Sequence, residues 1–235
     1  MTKLIAIVSG KGGVGKTTST INIGQSLTKL GKRVLLLDAN LATPNLALQL
    51  GMLSPEGTLN KFLRKEKHIN EIIYLHNSGI SLIPASPSFA EFQKTNPQNL
   101  NKIFTHLHDL ADFVLIDAPS GIGFEVNQII KHCDEILVIV TPNLSSVMDA
   151  LKSIELARSH DKFVVGAILN MTHSGRHEMK QREVQKTLSC PILANIKYDR
   201  KMRKALHKEQ PLTHLFPRSN SAKQFKKVAE FLTLQ

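Results

Sequence analysis

The sequence predicts an α/β fold in which a doubly wound, mostly parallel sheet is flanked by helices. Seven short apolar runs rich in Val, Ile and Leu recur along the 235 residues, and stretches with helical spacing or helix caps separate them. The runs are continuous rather than alternating, which is typical of strands covered on both faces. Strands that alternate with helices indicate parallel pairing. The predicted strands are residues 4–8, 34–37, 80–84, 113–116, 136–140, 163–169 and 191–196, and the predicted helices are residues 17–30, 97–110, 123–131, 145–159, 177–188 and 221–232.

One domain is expected to span residues 1–235, because this length suits a single α/β domain and no Pro-, Gly- or Ser-rich linker divides the chain. No apolar run reaches the roughly 18 residues that a membrane-spanning helix needs, and the first residues do not form a signal-peptide core. We therefore expect a cytoplasmic protein. Cys133 and Cys190 lie far apart and outside any Cys-x-x-Cys pair, which favours buried free thiols over a metal or disulfide role.

A glycine-rich loop follows the first predicted strand. Residues 9–18 read Ser-Gly-Lys-Gly-Gly-Val-Gly-Lys-Thr-Thr, and Gly10, Gly15, Lys16 and Thr17 have the spacing of a phosphate-binding loop. In such a loop, backbone N–H groups and the N-terminus of the next helix converge on phosphate oxygens, and glycines let the backbone approach closely. The sequence therefore predicts a nucleotide phosphate here, over the alternative of a turn that binds no ligand.

Two aspartates come directly after predicted strands. Asp38 follows residues 34–37, and Asp117 follows residues 113–116. Because ligands of open α/β sheets bind beyond the carboxyl ends of the strands, each carboxylate could face Mg²⁺ or its water shell. An isolated aspartate after a strand is more often a helix cap or a turn residue. The neighbouring phosphate loop favours the nucleotide role for both.

Several segments together resemble one family. The chain is similar to the MinD/ParA ATPases that carry the deviant Walker A loop, and in particular to the archaeal members of the MinD branch. This resemblance implies a P-loop NTPase fold of the SIMIBI type and runs nearly end to end. The segments that carry it are Lys-Gly-Gly-Val-Gly-Lys-Thr-Thr at 11–18, Asp-Ala-Asn-(x)₄-Asn-Leu at 38–46, Asp-Ala-Pro-Ser-Gly-Ile-Gly at 117–123, residues 141–150, Asn170 and residues 196–199.

The resemblance implies that ATP or ADP binds with Mg²⁺. On the family pattern, Thr17, Asp38 and Asp117 hold the metal ion, the carboxylates directly or through water. Asn170 matches the asparagine that hydrogen-bonds the adenine edge, for which an amide offers both a donor and an acceptor; a turn asparagine is the alternative. The nucleotide-binding residues implied are Gly10, Lys11, Gly12, Gly13, Val14, Gly15, Lys16, Thr17, Thr18, Asp117 and Asn170.

The resemblance also implies a homodimer that sandwiches the nucleotides in the ATP state. Lys11 matches the signature lysine, which crosses the interface to the phosphates of the other subunit. A cation supplied in trans stabilises the charge that develops on the transferred phosphoryl group. In the family, the aspartate that matches Asp149 can hold this lysine when no second subunit is present. The alternative for Lys11 is a solvated loop lysine.

One position departs from the family pattern. Many relatives place a water-positioning aspartate two residues after Asp38, whereas this chain has Asn40. An amide can orient water through its oxygen, but it cannot accept a proton as a carboxylate does. The catalytic residues expected are Lys11, Lys16, Asp38 and Asn40, and we expect slow hydrolysis of ATP to ADP and phosphate. The alternative is a nucleotide-binding scaffold with negligible turnover.

Positive charge is concentrated in the last third of the chain. Of the formal net charge of +11, residues 161–235 supply 15 Lys/Arg against 6 Asp/Glu. A basic surface of this kind suggests a polyanionic partner, either nonspecific DNA as in ParA relatives or an anionic membrane. A protein partner or activator and a merely solvated surface remain the alternatives. A DNA partner would place the protein peripherally at the nucleoid, and a membrane partner would place it peripherally at the membrane.

The last predicted helix bears on whether the chain binds a membrane. Phe225, Val228, Ala229 and Leu232 have the spacing i, i+3, i+4 and i+7. This pattern fits a helix docked on the domain and also a helix at a membrane surface, and docking is favoured. The expected function is an ATP-driven dimer that positions a cellular structure such as the division site, a chromosome or plasmid, or motility or chemosensory machinery. Delivery of a metal cluster is disfavoured by the cysteine content.

Overall fold

The computed structural model describes residues 2–173, 175 and 177–234. Within these residues, eight strands form one sheet in the order β3-β4-β2-β5-β1-β6-β7-β8, and all neighbours except β3 and β4 are parallel. The predicted α/β architecture is therefore confirmed. The strands are β1 (Lys3–Val8), β2 (Val34–Asp38), β3 (Tyr74–Leu75), β4 (Ser81–Ile83), β5 (Phe113–Asp117), β6 (Glu135–Val140), β7 (Phe163–Thr172) and β8 (Ile192–Lys197).

Helices cover both faces of the sheet. Those on the described residues are α1 (Lys16–Lys29), α2 (Leu46–Gln49), α3 (Leu59–Leu63), α4 (Phe89–Lys94), α5 (Phe124–His132), α6 (Leu144–Ser159), α7 (Gln181–Leu188), α8 (Arg200–His207), α9 (Leu212–Leu215) and α10 (Asn220–Thr233), with 3₁₀ segments at Ile69–Glu71 and Pro97–His106.

The core consists of two apolar layers, one on each face of the sheet. Along β1, Leu4, Ala6 and Val8 join the layer under α5 and α6, while Ile5 and Ile7 join the layer under α1 and α10. Successive side chains of a strand point to opposite faces, so a strand with both faces covered needs an apolar residue at every position. This explains the continuous apolar runs of the sequence.

Some element boundaries differ from the sequence predictions. Residues 97–110 were predicted as a helix, and the structure has a 3₁₀ segment that ends at His106. The helix predicted for residues 177–188 begins only at Gln181, because the Glu183 carboxylate accepts a hydrogen bond from the Lys180 N–H (2.8 Å) and caps the first turn there. The two-residue strand β3 and the charged helix α8 were not predicted.

The C-terminal helix α10 is docked on the domain, as predicted. Phe225, Val228, Ala229 and Leu232 are all buried in the layer that α10 shares with α1. The Ser219 hydroxyl accepts a hydrogen bond from the Ala222 N–H (3.2 Å) and caps the helix. The apolar stripe of α10 is thus already used in the core. Among the described residues, no helix is long and apolar enough to cross a membrane.

Candidate functional site

The phosphate loop connects the end of β1 to the first turn of α1. Gly15 has φ +90, a left-handed conformation that favours glycine, and Gly13 has φ +78. A side chain at Gly10 would overlap the backbone of Asp149 on α6. Packing therefore requires a glycine at position 10, and backbone conformation favours one at position 15. The loop and the first turn of α1, whose N–H groups lack partners within the helix, line one cavity.

Two carboxylates lie side by side at the base of this loop. Asp38 ends β2 and Asp117 ends β5, and the two residues pair directly in the parallel ladder. Both are buried, with 0% and 1% of their surface exposed. Burial, together with the Asp117 charge, raises the pKa of Asp38 to about 7, and burial also raises the pKa of Asp117, which Lys16 partly opposes.

Hydrogen bonds hold each carboxylate differently. The Asp38 carboxylate accepts backbone N–H bonds from Asn40 (3.2 Å), Asn45 (3.1 Å) and Leu46 (3.0 Å). The Asp117 carboxylate accepts the Thr17 hydroxyl at 2.6 Å, and its other oxygen lies 3.7 Å from Lys16 Nζ without a hydrogen bond. The loop after β2 is thus folded around Asp38, whereas Asp117 keeps one buried oxygen for a cation.

This donor set fits a magnesium ion. Two buried carboxylates and a threonine hydroxyl are oxygen ligands of the kind that Mg²⁺ takes, directly or through its water shell. The buried Asp117 oxygen without a hydrogen bond is the observation that carries the fit. The predicted metal residues Thr17, Asp38 and Asp117 are thus brought together by the fold.

Asn40 lies on the rim of the phosphate cavity, but both ends of its amide contact one residue. Asn40 Nδ2 donates to the Thr43 carbonyl (2.8 Å), and Asn40 Oδ1 accepts from the Thr43 N–H (3.1 Å). The amide therefore closes the loop that surrounds Asp38. Its role in orienting water stays a prediction.

Lys11 lies at the mouth of the same cavity and is exposed. Its Nζ donates to the Ser145 hydroxyl at the start of α6 (3.2 Å). Asp149, the residue that the family pattern pairs with this lysine, instead lies 3.1 Å from Lys152 Nζ. Lys11 is thus held on α6 by a hydroxyl rather than by a carboxylate.

A second, mostly apolar cleft continues from the phosphate cavity. Asn170, near the end of β7, lines this cleft: it is buried, and its Nδ2 donates to the Val14 carbonyl of the loop (2.8 Å). The contact of Asn170 with a base stays a prediction, since one amide hydrogen is already bound by the loop. The cleft is lined by Gly15, Thr18, Ser19, Asn170, Met171, Ile196, Lys197, Tyr198, Asp199, Met202, Arg203, Leu206 and Phe225.

Sequence reasoning missed other residues of the site. Gln49 of α2 accepts a hydrogen bond from the Thr18 hydroxyl (3.0 Å), and Thr43, Ser145 and Met171 contact residues that it did name. Their types carry no signal of nucleotide chemistry. Only their positions, in the segments at or beyond the carboxyl ends of the strands, could have indicated them.

Both cysteines are buried, as predicted. Burial raises the pKa of Cys133 to about 12 and that of Cys190 to about 11, which is opposite to the shift that a thiolate ligand needs. Across the described ranges, no group of three or more His, Cys, Asp or Glu residues could hold a metal ion.

The raised pKa of Asp38 predicts how stability depends on pH. Its ordinary value is 3.8, so between about pH 4 and 7 the folded chain binds more protons than the unfolded chain, and the free energy of unfolding falls as pH rises. We expect this fall, measured by urea denaturation without nucleotide or metal, to be larger by at least about 1 kcal/mol in wild type than in Asp38→Asn. Equal pH dependence in the two proteins would contradict the shift.

Comparison with known proteins gives the same family as the sequence. The chain matches the ParA family, described as the NUBPL iron-transfer P-loop NTPase, over residues 1–233. It is 36% identical over 225 residues to an uncharacterized ATP-binding protein of Methanocaldococcus jannaschii (96% of this chain, 85% of that protein). It is 31% identical to the antiactivator FleN of Pseudomonas aeruginosa (97% and 85%) and 30% identical to the septum site-determining protein MinD of Synechocystis (90% and 82%).

Solved structures with the same fold include MinD proteins. The cell division ATPase MinD of Pyrococcus furiosus has a TM-score of 0.95 at 30% identity (100% of this chain, 99% of that chain), and MinD of Pyrococcus horikoshii complexed with Mg-ADP has 0.94 at 29% (99% and 96%). The MinC:MinD complex of Aquifex aeolicus has a TM-score of 0.88 at 27% (99% and 96%). Because the family match and the relatives cover nearly the whole chain, this protein belongs to the ParA/MinD family of P-loop NTPases.

Proposed function

We propose that this chain is an ATPase switch whose active site is completed when two copies meet, and that the ATP-bound dimer positions a cellular structure. The observation that carries the proposal is the position of Lys11. It lies at the open mouth of the phosphate cavity and contacts Ser145, while Lys16 of the same loop is directed at the buried Asp117. One lysine thus serves its own site, and the other is available to a second copy.

Adenine nucleotide with Mg²⁺ is the proposed ligand, as in the Mg-ADP complex of the Pyrococcus horikoshii relative. The N–H groups of the loop and Lys16 would bind phosphate oxygens in the cavity next to Asp38 and Asp117. Thr17 and the two carboxylates would hold the metal ion, which neutralises phosphate charge when bound. The apolar cleft that begins at Asn170 would take the base.

An exposed apolar rim supports a second copy as the partner at the cavity mouth. Ile122 and Phe124, after β5, are 51% and 47% exposed, and Leu144 and Met148 on α6 are 63% and 44% exposed. Leu144 precedes Ser145, which contacts Lys11, so the rim adjoins the phosphate loop. Apolar side chains grouped beside charged ones are typical of an interface. Dimerisation would bury this rim and bring each Lys11 to the other site.

Slow turnover follows from Asn40. Its amide is bound to Thr43 at both ends and cannot accept a proton, so activation of the attacking water would rest on positioning alone. A scaffold that binds nucleotide without appreciable hydrolysis is the alternative function, and Asn40 is the observation that favours it.

Lys11→Ala tests completion of the site in trans. The variant is expected to fold and to bind Mg-ADP, but ATP turnover at saturating protein should fall by at least about 100-fold, as for loss of an arginine finger. Light scattering should show less ATP-dependent dimer. Lys131→Ala, which removes an exposed lysine in the last turn of α5, is the control and should match wild type. Unchanged turnover in Lys11→Ala would contradict the proposal.

Asn40→Asp distinguishes the switch from the scaffold. A carboxylate at this position can accept the proton of the attacking water, so single-turnover hydrolysis should be about tenfold or more faster than in wild type. Mg-ADP affinity, measured in parallel, separates this gain from a change in binding. Detectable turnover in wild type supports the switch. Turnover at background in wild type together with a gain in the variant supports the scaffold, and equal measurable rates would remove Asn40 from the account.

A second candidate function is docking of the dimer on a polyanion. The exposed side of α8 carries Arg200, Lys201, Arg203 and Lys204, and none of them has a carboxylate within salt-bridge distance in the described part of the chain. Lys201 and Lys204 lie over the ring of Phe216 at 6.0 Å each. Such a surface would bind phosphates without reading sequence. A protein partner, as in the MinC:MinD complex of Aquifex aeolicus, is the alternative.

Binding to plain duplex DNA and to anionic vesicles, each with ATP and with ADP, tests this candidate. We expect ATP-dependent binding to one of them that weakens steeply as salt rises, because released counterions drive it. The double variant Lys201→Glu/Lys204→Glu should lose that binding, while its ATP-dependent dimerisation should be unchanged. Absence of salt-sensitive binding to both surfaces would contradict the polyanion and favour a protein partner.

A further inference from the structure

The last residues of strand β7 are distorted where they lie over the phosphate loop. Pairing of β7 with β8 shifts register between Leu169 and Thr172. Within this irregular stretch, Met171 has φ +56, a left-handed conformation that is uncommon and strained for a side chain of its size. Strain of this kind persists only where the surrounding structure imposes it, so the position of Met171 needs a reason.

The distortion brings two consecutive side chains to the same place. In a regular strand, Asn170 and Met171 would point to opposite faces of the sheet. Here both reach Gly15: a Cβ built on that glycine would overlap Asn170 Nδ2 and would lie 3.3 Å from Met171 Cε. Asn170 is buried and bound to the loop, whereas Met171 is 37% exposed. Met171 therefore lies over the phosphate loop with part of its side chain open to a ligand.

Met171 also lies at the boundary between the two cavities. It lines the phosphate cavity together with Lys16 and Thr17, and it lines the apolar cleft together with Tyr198 and Met202. Among the described residues outside the loop segment 10–18, it is the one that lines both. A ligand that fills both cavities must cross it.

We propose that Met171 is a nucleoside-contact residue, which packs against the sugar of the bound nucleotide and thereby selects a nucleotide over a bare polyphosphate. This inference rests on the proposed nucleotide function and specifies which part of the ligand is recognised where. An unbranched thioether is flexible and polarizable, so it can follow the apolar surface of a sugar. The left-handed backbone at Met171 is what places that side chain between the cavities.

The test compares a nucleotide with a polyphosphate, which offers phosphates but neither the sugar nor the base. Titration calorimetry with Mg-ADP and with magnesium tripolyphosphate is carried out on wild type, Met171→Ala and Met171→Leu. In Met171→Ala, the Kd for ADP should rise about tenfold and that for tripolyphosphate should stay within about twofold, because only the sugar contact is lost. Met171→Leu keeps an apolar side chain of similar volume and should restore most of the ADP affinity.

Phe163→Ala is the matched control, since Phe163 is an exposed residue at the opposite end of the same strand. It should leave both dissociation constants unchanged. Equal weakening of ADP and tripolyphosphate in Met171→Ala would show that the residue merely shapes the loop and would overturn the inference, as would unchanged ADP affinity. Wild type that binds tripolyphosphate but not ADP would instead contradict the proposed nucleotide function.

Discussion

Two aspartates buried side by side are the constraint on which the rest of the site depends. Asp38 and Asp117 end adjacent parallel strands in register, and a buried carboxylate is costly unless a cation or hydrogen bonds compensate it. Three backbone N–H groups compensate the charge of Asp38, and Thr17 and Lys16 compensate that of Asp117. Because the pKa of both remains raised, the pair is still short of positive charge, which a metal ion bound with nucleotide would supply.

The same arrangement separates the roles of the two loop lysines. Lys16 is directed inward and balances the buried pair, so it cannot also lie at the outer rim. Lys11 is directed outward, where a hydroxyl of Ser145 is its contact and an exposed apolar rim adjoins it. Lys11 and Ser145 are both exposed, and an exposed polar contact of this kind contributes only about 1 kcal/mol, so Lys11 is readily available to another molecule. In our account, nucleotide binding and assembly are thus coupled through one short loop.

Sequence patterns predict the sheet and the phosphate loop well, because both depend on local chemistry. Continuous apolar runs marked the parallel strands, and Gly15 was required by its left-handed backbone. The patterns do not predict α8, whose composition is mostly basic, nor the Asn40–Thr43 and Lys11–Ser145 contacts, which depend on how loops pack. Met171 is the clearest case: its left-handed backbone lies where the pairing of β7 with β8 changes register, and no feature of a methionine indicates it.

The claim that one site is built from two chains is tested most directly by mixing two inactive variants. Lys16→Ala should lack phosphate binding but still offer Lys11, and Lys11→Ala should bind nucleotide but lack the cation for a partner. If Lys11 acts in trans, an equimolar mixture should regain ATP turnover well above either variant alone, because a mixed dimer contains one complete site. If Lys11 acts within its own chain, no pairing restores a site, and the mixture would show no more turnover than the average of the two variants.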